Sequence, residues 1–281
     1  MALRLVALIG LYLATASFLC AKEARLNGLA DPTLALNLSI IADWDTAKPF
    51  INLARTMRPF IALDRRHEKI PRSDLPDDVF DQHGWVRYIP DKAEQFVTIW
   101  DWDKTRPGAH RQAGAYVLTY DGDGDLEVDL DARITSRHPG RIEFENVAGG
   151  PIYLKLISSD PKKVGDYIRN IRLIRKEHEA LHMAGALFNP DWLAAVADAR
   201  QVRFLNWMRT NGSHQKRWDD RPRLDDATWA TGRGVPVEVM VRLANEIGAD
   251  PWFTMPNMAA PEYNRAFAAY VRDNLDPRLK A

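Results

Sequence analysis

The chain has 281 residues, which is room for one large or two ordinary domains. Its 38 Lys and Arg residues balance 38 Asp and Glu residues, so no net charge is present to recruit nucleic acid or an anionic membrane surface. Hydrophobic residues at 46% and charged residues at 27% are ordinary for a soluble globular protein. We therefore expect neither a nucleic-acid partner nor stable membrane insertion.

The first 21 residues have the pattern of a secretory signal peptide. A single charge, Arg4, precedes an apolar run at 5–19, and small residues follow as far as Ala21. The run is short for a membrane span, so an uncleaved anchor is the less favoured alternative. Cys20 is the only cysteine, and a chain cut after Ala21 would contain no disulfide. We predict a secreted or periplasmic protein, and the sequence indicates no cofactor.

Residues 36–175 have the sequence pattern of an antiparallel β-domain. Short apolar segments recur at regular spacing and are separated by turn signals, such as the Asp-Gly repeat at 121–124 and the Gly pair at 149–150. The segments expected to form strands are 95–100, 114–120, 126–131, 141–147, 152–158 and 168–174. This spacing predicts an antiparallel β-sandwich.

From residue 188 onward, strand and helix patterns alternate. The expected elements are, in order, a strand at 202–208, a helix at 236–247, a strand at 252–255, and a helix that begins at 261 and ends before 276. Pro236 suits a first helical turn, and Gly248 suits the left-handed residue that ends a helix. An alternating order of this kind indicates a parallel sheet.

Three stretches carry a resemblance to a known family. They are RFLNWMRTN at 203–211, GVPVEVMVRLANEIGADPWFTMPNMA at 234–259 and YVRDNLDPRLKA at 270–281. In these stretches the chain resembles exported bacterial cellulose-binding and glycoside hydrolase proteins, which are similar to the clan A glycoside hydrolases. The resemblance implies a (β/α)8 barrel as the catalytic domain.

The resemblance implies an α+β multidomain chain, with a β-sandwich followed at 188–281 by the first βα units of an incomplete (β/α)8 barrel. A full barrel takes about 250 residues, and fewer than half of these remain after Phe188. The family carries its Asn-Glu acid/base pair on the next strand, beyond Ala281, so we expect no catalytic residue here. Two positions depart from the family pattern, since Asn206 stands where Asp is usual and Asn257 where His is usual.

Polar and aromatic residues cluster at the expected strand ends, where α/β barrels keep their chemistry. Amide groups can hydrogen-bond sugar hydroxyls, and an indole face can stack on a pyranose ring. The candidate substrate-binding residues are Arg203, Asn206, Trp207, Asn211, Trp252 and Asn257. For Arg203 and Trp207 an equally favoured alternative is that both residues pack and form pairs beneath the loops and contact no ligand.

Two metal-like motifs have stronger structural explanations. His178, Glu179 and His182 match a zinc-protease helix, but the long form of that motif needs His at the position of Phe188. The Asp-Gly repeat at 121–125 resembles a calcium loop, but lacks its sixth-position Gly and twelfth-position Glu, which favours an acidic hairpin turn. We therefore assign no metal site, and we assign no role to the scattered histidines, His83 among them.

The sequence thus predicts an exported carbohydrate-active protein that resembles glycoside hydrolases, with a polysaccharide or oligosaccharide as its partner. It would bind or hydrolyse polysaccharide and would be catalytically incomplete as this chain. The alternative is a non-catalytic glycan- or cellulose-binding module in which the sandwich is the active part. A zinc metalloprotease that uses His178, Glu179 and His182 is the third hypothesis.

Overall fold

The computed structural model describes residues 33–105 and 108–281, and the signal peptide expected at 1–21 lies outside them. Within this part the protein is mixed α/β, with many strands and few helices. The strands are β1 (Leu34–Asn37), β2 (Ile61–Leu63), β3 (Lys69–Ile70), β4 (Gln95–Trp100), β5 (Gly114–Asp121), β6 (Gly124–Leu130), β7 (Ala132–His138), β8 (Arg141–Asn146), β9 (Ile152–Ser159), β10 (Arg169–Arg175), β11 (Ala199–Arg203) and β12 (Asp250–Trp252). The α-helices are α1 (Glu179–Met183), α2 (Pro190–Val196), α3 (Val237–Ile247) and α4 (Pro261–Asn274). None of these helices is long and apolar enough to cross a membrane.

Two antiparallel sheets form the middle of the described chain. One has the strand order β10-β5-β8-β7, and the other has the order β3-β2-β4-β9-β6. Both contribute to one hydrophobic core, in which Phe144 of β8 and Leu156 of β9 are each 1% exposed. Side chains alternate between buried and accessible along β8 and β9, as they do when one face of a sheet covers a core. We call this part of the molecule the antiparallel unit.

Strand β7 of the antiparallel unit was not expected from the sequence. Its side chains are mostly exposed, and it pairs only with β8 at the edge of its sheet. An edge strand with little buried surface lacks the apolar alternation by which a strand is recognised. The neighbouring expected strands are all present, with ends that shift by no more than about two residues.

The third sheet is parallel and has the strand order β1-β11-β12. In its register Leu36 lies beside Val202, which in turn lies beside Pro251. The expected domain boundary at residue 36 is therefore wrong for Leu36 and Asn37, because both belong to this parallel sheet. In the chain, the antiparallel unit lies between β1 and β11.

Strands β11 and β12 both lie earlier than the predicted segments 202–208 and 252–255. The ladder of β11 begins at Ala199, where it meets β1, and ends at Arg203. Beyond Phe204 the chain turns instead of extending, and the Met208 amide donates to the Phe204 carbonyl at 2.8 Å. Residues after Phe204 therefore form a turn at the carboxyl end of the sheet.

Helices α3 and α4 follow β11 and β12 and cover one face of the parallel sheet. Helix α3 begins after Pro236 and ends at Gly248, whose φ of 69° is the left-handed conformation that favours glycine. The buried side chains of α4 are Tyr263, Phe267 and Val271, which lie on one face at helical spacing. Both helices therefore have, to within about one residue, the bounds that the sequence predicts.

Phe50 joins distant segments of the chain in the core beside the parallel sheet. It is fully buried, and its ring centroid lies 4.8 Å from that of Trp229, 5.5 Å from Trp207 and 6.0 Å from Phe188. Aromatic rings at these separations add to the area they bury. The segment that leads from β1 into the antiparallel unit is thereby anchored to the parallel part of the molecule.

Candidate functional site

The two faces of the parallel sheet differ in how they are covered. Val202 is fully buried in the core beneath the helices. The next row in register consists of Asn37, Arg203 and Trp252 and projects from the opposite face, because successive side chains of a strand alternate. Asn37 and Trp252 of this row are exposed, with 48% of Trp252 accessible. Parallel sheets are normally covered on both faces, whereas within the described ranges this row is partly exposed and can make further contacts.

Arg203 and Trp252 form a pair within that row. The guanidinium carbon of Arg203 lies 4.6 Å from the centroid of the Trp252 ring, a cation–π separation. The Nε atom of Arg203 is buried and has no hydrogen-bond partner among the described residues. The contact therefore holds the indole ring in place, and the unpaired Nε atom lies below the surface, so these contacts describe Arg203 as a packing residue.

The loops that follow the three strands meet at the carboxyl edge of the sheet. Asn206 donates from its side-chain amide to the Leu38 carbonyl at 2.9 Å, which ties the end of β11 to the end of β1. The Thr210 hydroxyl donates to the Thr254 carbonyl at 2.7 Å, and the backbone N–H of Asn257 donates to the Thr210 carbonyl at 3.4 Å. The candidate residues Asn206 and Asn257 are thus brought to one edge.

Asn211 directly follows Thr210 in this edge, and its side chain is exposed, as is that of Asn257. Asn206 is half-buried and uses its amide nitrogen within the protein. The exposed amides at the edge therefore come from Asn211 and Asn257, whereas Asn206 positions the loop.

Trp207 does not offer a surface to a ligand. It is only 2% exposed and packs against Phe50, Trp192 and Phe204, with ring centroids 5.5, 6.0 and 5.6 Å away. The prediction that Trp207 binds substrate is therefore wrong, and the alternative, that it packs beneath the loops, is correct. The reason is that the chain turns after Phe204, so Trp207 points into the core instead of ending a strand.

A buried lysine in the loop after β1 was missed from the sequence. Lys48 is 7% exposed, and its Nζ atom has no hydrogen-bond partner in the described part of the chain. The Nζ atom lies 4.4 Å from the centroid of the Trp102 ring. Burial lowers the pKa of Lys48 from 10.5 to about 7, against the opposing charges of Asp45 and Asp43. The site has no local sequence pattern, because Trp102, which contacts Lys48, is 54 positions away and belongs to the antiparallel unit.

The side chains of the zinc-protease motif are used in contacts within the protein. The Glu179 carboxylate pairs with Arg141 at 2.6 Å and with Lys176 at 3.1 Å. The hydrogen bond from Arg141 lowers the pKa of Glu179 to about 2. The pKa of His182 is lowered by burial and by nearby Arg172 and Arg55. Glu179 is thus held as an ion-pair partner, away from the role of a base. In the described ranges, no group of His, Cys, Asp and Glu side chains could hold a metal ion.

The Asp-Gly repeat forms the turn between β5 and β6. These strands belong to different sheets and do not pair with each other, so the turn is not the hairpin expected from the sequence. Asp123 pairs with Lys162 at 2.7 Å, and Asp125 pairs with Arg137 at 3.1 Å. The backbone carbonyl of Tyr167 would lie 2.1 Å from a Cβ at Gly122, where φ is +95°, so only glycine fits this position. Both carboxylates form ion pairs with neighbouring side chains, as expected of an acidic turn.

No protein-family model matches the chain, and neither the curated proteins nor the solved structures that were searched contain a match.

Proposed function

We propose that this chain is an exported carbohydrate-active protein of the glycoside hydrolase type that binds polysaccharide at the carboxyl edge of its parallel sheet. The observation that carries the proposal is the half-exposed Trp252 indole, fixed by the Arg203 guanidinium at 4.6 Å. A rigid aromatic face beside exposed amides suits a sugar ring, whose faces are apolar and whose rim carries hydroxyl groups. Asn211 and Asn257 supply the amides.

The arrangement of the parallel strands supports a further part of the proposal. Strands β1, β11 and β12 are adjacent in the order in which they occur in the chain, and α3 and α4 follow the last two. The first βα units of a (β/α)8 barrel have this order, with ligands bound at the carboxyl ends of the strands. We therefore propose that 188–281, together with β1, is the opening portion of such a barrel, with the antiparallel unit as a β-sandwich.

Binding to an array of polysaccharides tests this function. The wild-type chain should bind a subset of β-linked glucans, and Trp252→Ala should weaken that binding about tenfold, as loss of a stacked aromatic of about 1–2 kcal/mol requires. Trp252→Tyr should retain most of the affinity. Leu224→Ala is the matched control, because Leu224 is 46% exposed and lies outside the sheet edge. Equal loss in Trp252→Ala and the control would refute the proposed edge.

Hydrolysis is expected to be absent. Retaining hydrolysis needs two carboxylates about 5 Å apart across the bond, and the edge row of Asn37, Arg203 and Trp252 contains no carboxylate. Aryl glycosides and soluble glucans should not be turned over by this chain. Turnover that is abolished by replacing one Glu within 33–281 would contradict this expectation.

A groove on the antiparallel unit favours a second candidate, a non-catalytic glycan-binding module. The groove has a volume of about 900 Å³ and is lined in part by Tyr88 and Tyr167. The Tyr88 hydroxyl donates to Asp78 at 2.6 Å, which holds the ring in place. If this groove is the binding surface, Tyr88→Ala should abolish glycan binding while Trp252→Ala leaves it unchanged. The two variants therefore separate the two candidates.

A further inference from the structure

A cavity of about 310 Å³ lies where the antiparallel unit meets the long loop that precedes α3. Phe60 and Phe80 form part of its apolar lining, and Arg72, His83 and Arg233 contribute polar groups. Pockets of this volume at the junction of two units commonly hold small molecules. Neither the Trp252 edge nor the groove of the antiparallel unit includes these residues, so the cavity is a separate feature.

The carboxylates beside this cavity are already satisfied by the protein. Asp81 accepts from two backbone amides at 2.9 Å each and from the Tyr167 hydroxyl at 2.9 Å. Asp226 is 2% exposed, accepts from the Arg223 amide at 2.9 Å and pairs with Arg233 at 3.0 Å. The His83 Nδ1 atom lies 3.4 Å from the same carboxylate. These two carboxylates therefore have little acceptor capacity left for a ligand that donates hydrogen bonds.

Donor capacity, in contrast, remains open. The guanidinium carbon of Arg72 lies 4.0 Å from the centroid of the Phe80 ring, and this guanidinium has no carboxylate partner within the described ranges. Arg233 gives one nitrogen to Asp226, and 37% of its side chain is exposed. A guanidinium carries five N–H donors, so most of those on both residues are unused. A ligand that accepts hydrogen bonds and carries negative charge would complement this wall.

We propose that this cavity binds a small organic carboxylate of the sugar-acid class. The carboxylate would take donors from Arg72 and Arg233, since planar guanidinium groups bind carboxylates through paired hydrogen bonds. The ring of the ligand would lie against Phe60, because the apolar face of a sugar ring suits an aromatic surface and a face of Phe80 is already covered by the Arg72 guanidinium. The inference does not depend on the function proposed for the Trp252 edge, because the two sites share no residue.

Isothermal titration calorimetry on the full chain with three probes tests the proposal. Sodium glucuronate carries both the carboxylate and the ring, glucose carries the ring alone, and sodium acetate carries the carboxylate alone. Glucuronate should bind at least about tenfold more tightly than glucose, because it adds the charge-assisted hydrogen bonds, and at least about tenfold more tightly than acetate, because it adds the ring contact. Equal affinities for glucuronate and glucose, equal affinities for glucuronate and acetate, or no glucuronate binding would overturn the proposal.

Two variants locate the binding. Arg72→Gln should weaken glucuronate binding by about tenfold or more and lower the thermal unfolding midpoint by no more than a few degrees, since the Arg72 side chain is exposed and its cation–π contact is with the Phe80 ring. Arg65→Gln is the matched control, because Arg65 is 89% exposed and should leave the affinity unchanged. Glucuronate affinity that survives Arg72→Gln would show that the anion binds elsewhere. Binding that persists in Trp252→Ala separates this site from the sheet edge.

Discussion

Replacing Lys48 with Met tests whether the buried amine destabilises the fold at neutral pH. Burial lowers the pKa of Lys48 from 10.5 to about 7 in the folded protein, whereas the unfolded chain keeps the ordinary value. The unfolded state therefore binds this proton more tightly than the folded state, which lowers the free energy of unfolding. This destabilisation is complete below about pH 7, decreases as pH rises, and has disappeared above about pH 10.5. At ~1.4 kcal/mol per pKa unit, the penalty is about 3–5 kcal/mol.

The Met side chain is of similar length and carries no charge, so Lys48→Met should remove this penalty. It also removes the contact with Trp102, which contributes about 1 kcal/mol. We expect the variant to be more stable than the wild type by about 2–4 kcal/mol near pH 6, and the difference to shrink to zero or below near pH 10. Urea unfolding of both proteins at several pH values measures this difference directly.

Lys163→Met provides a matched control. Lys163 has a φ of 55° and Lys48 has a φ of 47°, so both occupy the left-handed region, but Lys163 is exposed. The control should show no pH-dependent change in stability. If Lys48→Met is instead less stable than the wild type by the same amount at every pH, the pKa of Lys48 is the same in the folded and unfolded states and the reasoning fails.

Three further substitutions probe other contacts. Asn52→Ala should cost about 2–3 kcal/mol in urea unfolding, because the Asn52 Oδ1 atom accepts from the buried Leu173 amide at 3.1 Å, and Asn52→Asp should cost less. Phe50→Ala should cost about 3–5 kcal/mol as a fully buried ring is lost, and a loss below 1 kcal/mol would mean that the aromatic cluster rearranges freely. His182→Ala should leave zinc content unchanged and alter stability by less than about 0.5 kcal/mol, whereas stoichiometric zinc that is lost in this variant would revive the protease hypothesis.

The elements with strong local signals were predictable from the sequence. Helix α3 has a proline before its first turn and Gly248 at its end, and both features act within a few residues. Strand β4 was predicted at its observed bounds, because an apolar run between turn signals identifies a buried strand. Where the physical cause is local, the sequence is sufficient.

Features that depend on distant partners were not predictable in this way. Strand β1 looks like the start of the antiparallel unit until its pairing with β11 is known. Trp207 lies in a stretch that reads as a strand, and its burial follows from a turn whose partners come from other segments. The junction cavity likewise depends on His83 meeting Asp226, which is 143 positions away. Tertiary contacts decide each of these cases.

The position of the antiparallel unit between β1 and β11 has a consequence for the order of folding. Strand β1 cannot pair until β11 has been synthesised, and closing so long an unstructured loop would cost considerable chain entropy. If the antiparallel unit folds first, its compact core brings the two ends together and removes most of that cost. Until then, β1 presents unpaired backbone groups and the exposed Leu34 side chain, the kind of edge on which nascent chains aggregate. Variants that slow folding of the antiparallel unit should therefore lower the yield of soluble protein by more than their effect on equilibrium stability.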